Sequence, residues 1–479
     1  MENSLTPSNN AKKGFTFFPP DVTPRVTLFP FAIAIQLIAC AISGVGFAAN
    51  KAAFWLGGMV LWLLWFWVMF LIVTPETDMG VRRHYGGLRR GAMIILVIVL
   101  ATGVGELFVL GLFAPGYTKS GASNDFSKSL EQMQHGFQYN DGTALSQQAA
   151  ENLLDGQNPY AAANIVTAFI KYNGSYDRIT PLQKGRLADV FPYPTPQQLK
   201  DVWNAALQHP SAPPPEIESH VCYPSGSFLL LTPFLSIGIK DIRWIYFIYI
   251  VAGLVYVAWR VPAGRRLFFI GIVLISLELW NSMSIGETGS LIFPFLLIAW
   301  ITLGENDWLS AIFMGVAVAT KQTAWFFLPF YLILIWRTSG ARYAAAATGI
   351  IAAIFLAANG YFIVRDPALW LKSLTAPMAQ PMFPIGVGLI SFVTGGVLNV
   401  RSALPFTIME VTAFAGAIVW YWKYCRRYPD TALVLAVLPF FFAWRSLWTY
   451  FFYITIIILA RMLTRKSGAE LPAPRFAGE

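Results

Sequence analysis

The sequence predicts an all-α, polytopic membrane protein of about twelve transmembrane helices, with a large, partly helical loop held outside the lipid. Three features predict it. Of 479 residues, 56% are hydrophobic and only 12% charged, whereas soluble domains average about 25% charged residues; too little polar surface remains to face water on every side. The apolar residues fall in long runs, and about 20 such residues suffice to span a bilayer. The polar residues, by contrast, concentrate in one stretch, 115–226, that interrupts these runs.

The elements follow in order. Residues 1–25 are polar and contain proline, without the short apolar core and small-residue cleavage site of a secretory signal, and read as a cytoplasmic tail. Apolar runs at 26–49, 54–74 and 91–114 make a first block of three helices, 26–114. After the loop, a second block, 227–463, holds runs at 242–259, 267–283, 288–303, 308–321, 324–336, 343–364, 404–424, 431–444 and 447–463. Residues 464–479 form a second cytoplasmic tail. Two further apolar pieces are too short or too broken to span: 227–239, which contains Pro233, and the glycine-rich 385–400 (IGVGLISFVTGGVLNV). Pieces of this length suit interfacial or re-entrant segments, which can frame a site at the membrane face. Within the loop, 145–154 and 196–207 have the spacing of amphipathic helices, and HPSAPPPE at 209–216 marks an extended segment. The loop is expected to fold against the membrane domain.

The net charge is +9, yet its placement excludes a nucleic-acid surface. Arg and Lys cluster in the short breaks between apolar runs: Arg82, Arg83, Arg89 and Arg90; Arg260, Arg265 and Arg266; Arg337 and Arg342; Lys423, Arg426 and Arg427; Arg461, Arg465 and Lys466. Alternating spans put all these clusters on one side, which the positive-inside rule makes cytoplasmic. The loop, with the shorter connections 281–287 and 365–384, then lies outside. The three cysteines, Cys40, Cys222 and Cys425, are far apart, and only Cys222 falls in the loop; this is no disulfide framework.

Soluble-enzyme signatures are missing: there is no Walker loop, dinucleotide fingerprint, HExxH or GxSxG. His84, His135, His209 and His220 lack metal-ligand spacing, so neither a metal nor a cofactor is expected. The candidates gather instead at outer helix ends. Asp125, in SNDFSKSLEQM, follows the third run; a carboxylate there can accept a proton from a hydroxyl, and it is equally a favoured helix N-cap. GQNPY, with Asn158 and Tyr160, stops a helix and redirects the chain. HVCYPSG, with His220 and Tyr223, returns the loop to the membrane, where these side chains can meet a headgroup or simply anchor at the interface. Lys321 lies between apolar runs (AIFMGVAVAT and AWFFLPF), and Arg445 sits in FAWRSLWTYFFY. A charge deep in a membrane costs about 2.5–3.5 kcal/mol on insertion scales, so it snorkels, pairs or works. Two such cations from distant segments suit an anionic lipid headgroup. Glu287, on a short outer connection, reads as a solvated turn residue or a substrate contact.

The order of these motifs resembles a GT-C fold glycosyltransferase, and is most similar to glycosyltransferase family 87, the polyprenyl-phosphate-mannose-dependent mannosyltransferase type. The resemblance runs from Asp125 through GQNPY and YPSG to IGETGSLIFPFLLIAWITLGENDWLSAIFMGVAVATKQTAWFFLPFYL, covering roughly 91–461. It implies metal-independent, inverting transfer of a sugar from a polyprenyl-phosphate donor to a lipid or glycan acceptor outside the cytoplasmic membrane. By that resemblance Asp125 is the general base, and Lys321 and Arg445 hold the donor phosphate. The stretch 135–148 looks inserted relative to the family, so Asp141, in YNDGT, competes with Asp125 for the catalytic place; Asp125 lies nearer the membrane exit. Glu287 stands where the family often has Gln. The alternative function is a transporter or flippase of a lipid-linked sugar, against which stands the lack of an inverted repeat or of paired broken helices.

Overall fold

The computed structural model describes residues 17–19, 21–49, 51–113 and 138–465. The protein is mostly helical, and the described residues contain a single sheet of two short strands. Six helices are long and apolar enough to cross a membrane: Pro24–Ala48, Ala52–Val73, Tyr85–Gly105, Ile242–Arg260, Ala341–Arg365 and Leu404–Tyr424. A seventh span results if Ala263–Ile275 and Leu277–Ser284, bent by 54° at Ser276, count as one.

The other apolar runs are helical but short, so the described helices do not make the expected twelve spans. Thr288–Thr302 is buried at every residue, and Thr431–Val437 passes into a 3₁₀ turn at Leu438–Phe442, where Pro439 stands. A helix that touches only protein has its length set by its neighbours rather than by bilayer thickness. Hydropathy alone cannot separate the two cases. The long helices show the opposite pattern. Ile98, Trp244, Val255, Leu356 and Val419 are exposed, an apolar surface that suits lipid rather than water.

The basic breaks are tied to one another at one end of the bundle. Arg427 and Tyr428 bind Glu76, Arg25 binds Asp78, and Arg461 and Arg465 share Asp430. Arg265 reaches Asp21 and the Leu463 carbonyl, and Arg426 donates to the Arg337 carbonyl.

The polar loop packs on the opposite end. Asn140 caps the helix Asp141–Leu154 by accepting from the Thr143 amide at 2.8 Å, and Thr195 with Gln198 forms a capping box on Pro196–Ala206. These are the two amphipathic helices read from the sequence. Tyr139 donates to Asp241 at 2.7 Å and Gln147 to the Lys240 carbonyl at 2.7 Å, docking the first of them onto the start of Ile242–Arg260. The loop's return, through Ser225, is held by Asn359 inside Ala341–Arg365. Gly226 allows that approach: a Cβ there would lie 2.5 Å from the Ala319 carbonyl oxygen, at the end of Asp307–Thr320.

Candidate active site

Asn306 caps Asp307–Thr320, which ends where Lys321 adopts an extended backbone. The ammonium is thereby aimed into protein, not along the helix axis to water. Lys321 is 5% exposed and does not snorkel. Its Nζ donates to Glu287 Oε1 at 2.8 Å and to Thr288 Oγ1 at 2.6 Å, and it stands 5.4 Å from the centre of the Tyr223 ring. Glu287 is accordingly no solvated turn residue. Its carboxylate is half-buried, caps Thr288–Thr302, and accepts from Asn140 Nδ2 at 3.3 Å. Burial works to raise the Glu287 pKa, but the charge and hydrogen bond of Lys321 and the Gly289 amide hold it below the usual value.

The contact with Asn140 brings in the polar loop. Thr143 donates to the Gly286 carbonyl at 2.7 Å, so the first turn of Asp141–Leu154 sits on the 285–287 connection. Asp141 follows the cap directly. It is partly exposed, and its Oδ1 accepts from the Gly142 amide at 2.7 Å. Burial raises its pKa, against a hydrogen bond from Thr180 and the attraction of Arg445, while the negative charge of Glu287 adds to the rise. Asp141 is thus the electrostatic neighbour of both Glu287 and Arg445. Tyr193, Cys222 and Tyr223 share this field.

Arg445 comes from a strand rather than from a helix end. Arg445–Ser446 pairs in parallel with Ile385–Gly386, in the glycine-rich piece expected to frame a site. Gly386 has φ +140°, and a Cβ there would lie 2.1 Å from the Ser446 carbonyl oxygen, so only glycine lets the two backbones close. The strand fixes the Arg445 backbone and leaves the side chain half-buried. Its Nη1 is buried without a hydrogen-bond partner among the described residues. A buried donor lacking an acceptor is costly, a cost that an oxyanion placed there can relieve.

The remaining predicted residues divide. Tyr223 lies at the centre, beside Lys321. Tyr160 is buried and donates to the Tyr223 carbonyl at 3.0 Å, while Asn158 accepts from the Tyr160 amide at 3.1 Å, so GQNPY supports the wall. His220 turns to Glu218, with Nδ1 at 2.6 Å from the carboxylate. Asp125 lies outside the described residues.

Residues 221–444 match glycosyltransferase family 87. The match implies a glycosyltransferase and bears out the resemblance over just under half of the chain. No curated protein and no solved structure gives a match. The family 87 segment contains Tyr223, Glu287 and Lys321 and ends one residue before Arg445. Asp141 lies N-terminal to it, on the loop that the segment receives.

Sequence reasoning missed Asn140, Thr180, Thr288 and Tyr193 as members of this cluster. Asn140 alone carried a signal. An Asn-Asp pair directly before an amphipathic run is an N-cap signature.

Proposed function

We propose that the protein transfers a sugar, mannose or another hexose, from a polyprenyl-phosphate donor to an acceptor hydroxyl at the extracytoplasmic membrane face. The acceptor is a lipid or a glycan, and the transfer is metal-independent with inversion at the anomeric carbon. In this reading the chain is a multi-pass protein of the cell membrane with a GT-C-like fold, and it serves the cell envelope. Its basic end, with both termini, is cytoplasmic, which the clustering of Arg breaks opposite the site supports.

The observation that carries the reading is a carboxylate of raised pKa set in the electrostatic field of an under-satisfied guanidinium. Asp141 has a raised pKa, Arg445 has a buried Nη1 with no hydrogen-bond partner among the described residues, and the two are electrostatic neighbours. Asp141 removes the proton from the acceptor hydroxyl as its oxygen attacks the anomeric carbon. The bond from that carbon to the phosphate oxygen breaks, and its electron pair leaves with the phosphate. The donor phosphodiester carries one negative charge and the released monoester up to two. Negative charge therefore passes from Asp141 to the leaving phosphate. Arg445 stabilises the charge where it develops. Asp125, the base implied by the resemblance, stays a rival for Asp141's role.

Purified protein in lipid nanodiscs, given synthetic polyprenyl-phosphate sugars and a membrane lipid extract, tests this. Release of polyprenyl phosphate with at least one sugar is expected. Movement of donor across the bilayer with no release, for every sugar supplied, would favour the transporter and overturn the reading.

A further inference from the structure

The Glu287–Lys321 pair is placed to do something other than hold the donor. Lys321 is buried, and its ammonium is occupied by Glu287, Thr288 and the Tyr223 ring face. Glu287 spends one carboxylate oxygen on Lys321 and offers the other to Asn140. Asn140 is the cap of the helix whose first residue is Asp141.

We propose that Glu287, neutralised by Lys321, is a positioning residue that fixes Asn140 and thereby sets where Asp141 stands relative to Arg445. This inference rests on the reading of Asp141 as the base. It assigns Lys321 to Glu287 rather than to the donor phosphate.

The connectivity argues for it. The loop helix is docked at mid-length by Gln147 to the Lys240 carbonyl, and the residue before its cap, Tyr139, donates to Asp241. Only its first turn depends on the 285–287 connection, through Asn140 to Glu287 and Thr143 to the Gly286 carbonyl. Losing Glu287 therefore releases the Asn140 amide group from the connection without undocking the helix. A carboxylate for this task at the membrane face needs a counter-charge, because an unpaired buried ion is strongly destabilising. Lys321 supplies it from a helix end 34 residues further along the chain.

The test separates position, charge and base. Steady-state transfer from synthetic polyprenyl-phosphate-mannose is measured for Glu287→Ala/Lys321→Met, Glu287→Gln/Lys321→Met, Asn140→Thr and Asp141→Asn. Both double variants remove the ion pair together, leaving no orphan charge, but Gln keeps a carbonyl acceptor for Asn140. Misplacing a reacting group by about 1 Å costs about 100-fold. The Ala/Met variant is accordingly expected to lose 10- to 100-fold in kcat, by roughly that principle, with donor KM held within about twofold. The Gln/Met variant recovers most of that kcat. Asn140→Thr keeps a capping oxygen that is too short to reach Glu287, and it reproduces the kcat loss while leaving the membrane pair intact.

A Gln/Met variant whose donor KM rises about tenfold at unchanged kcat makes Lys321 a phosphate ligand and overturns the proposal. Wild-type kcat in both Ala/Met and Asn140→Thr, with Asp141→Asn inactive, overturns it while the base reading stands. Full activity in Asp141→Asn removes the base reading and the positioning role with it.

Discussion

Replacing Arg445 by Gln is the perturbation whose outcome the structure specifies most closely. Arg445 stands opposite Ile385, and Ser446 opposite Gly386, in a backbone pairing that does not use the Arg445 side chain. The guanidinium Nη1 has no partner among the described residues, so its removal breaks no recorded hydrogen bond at that atom. Stability is expected to stay within about 1 kcal/mol, as for substitutions that leave packing intact. Activity should respond very differently. Removing one donor aimed at charge that develops in the transition state costs about 2.7–4 kcal/mol, or about 10²–10³ in kcat. Lys in place of Arg keeps the charge but loses the planar fork that grips a phosphate, and should fall between. Arg445 also lowers the Asp141 pKa. Without it Asp141 holds its proton to higher pH, so, with Asp141 as the proposed base, the acid limb of kcat/KM moves up in Arg445→Gln. The assay is release of polyprenyl phosphate across a pH series, beside thermal unfolding in the same detergent. Threefold or smaller loss of kcat in a well-folded Arg445→Gln, with an unmoved acid limb, would refute the reasoning.

Three further outcomes follow from the same contacts. Lys321→Met alone strands the half-buried Glu287 carboxylate and should cost about 3–5 kcal/mol; the unfolding temperature drops, Glu287→Gln/Lys321→Met restores it, and equal temperatures for the two would contradict the pairing. Gly386→Ala places a Cβ against the Ser446 carbonyl oxygen at a positive φ, so it should destabilise by more than about 2 kcal/mol and lower kcat with Arg445 displaced; a variant with wild-type unfolding and kcat would contradict the strand's role. Asp141 has a raised pKa in the folded protein, so the native state binds its proton more tightly than the unfolded chain does. That stabilisation is complete below the unfolded-state pKa and is lost as pH rises through the folded one. Asp141→Asn should therefore unfold at a higher temperature than wild type at neutral pH, with the gap narrowing in acid; a gap that is constant with pH would contradict it.

Much of the architecture was legible because it rests on local signals. The apolar runs became helices, and the two amphipathic stretches of the loop became Asp141–Leu154 and Pro196–Ala206. The glycine-rich piece proved to be the partner strand of Arg445. The number of full spans was not legible, since Thr288–Thr302 is as apolar as a lipid-facing helix yet touches only protein. At the site, Lys321 and Arg445 were both flagged as embedded cations, but their different fates depend on tertiary contacts. Glu287 reaches one of them from a distant helix end, whereas Arg445 Nη1 has no partner among the described residues. No local pattern reports such pairing. The same holds for Asp141, whose neighbours come from three separate parts of the chain.

Whether Asp141 and Arg445 form the proposed transfer site is decided by comparing two aspartate variants. Single-turnover release of polyprenyl phosphate is followed for wild type, Asp141→Asn and Asp125→Asn, each in nanodiscs with the same donor and lipid extract. Wild type and Asp125→Asn are expected to release it at similar rates, and Asp141→Asn to lose about 10²–10⁴, the range expected when a general base is removed. Wild-type release by Asp141→Asn, with Asp125→Asn inactive, would contradict that expectation.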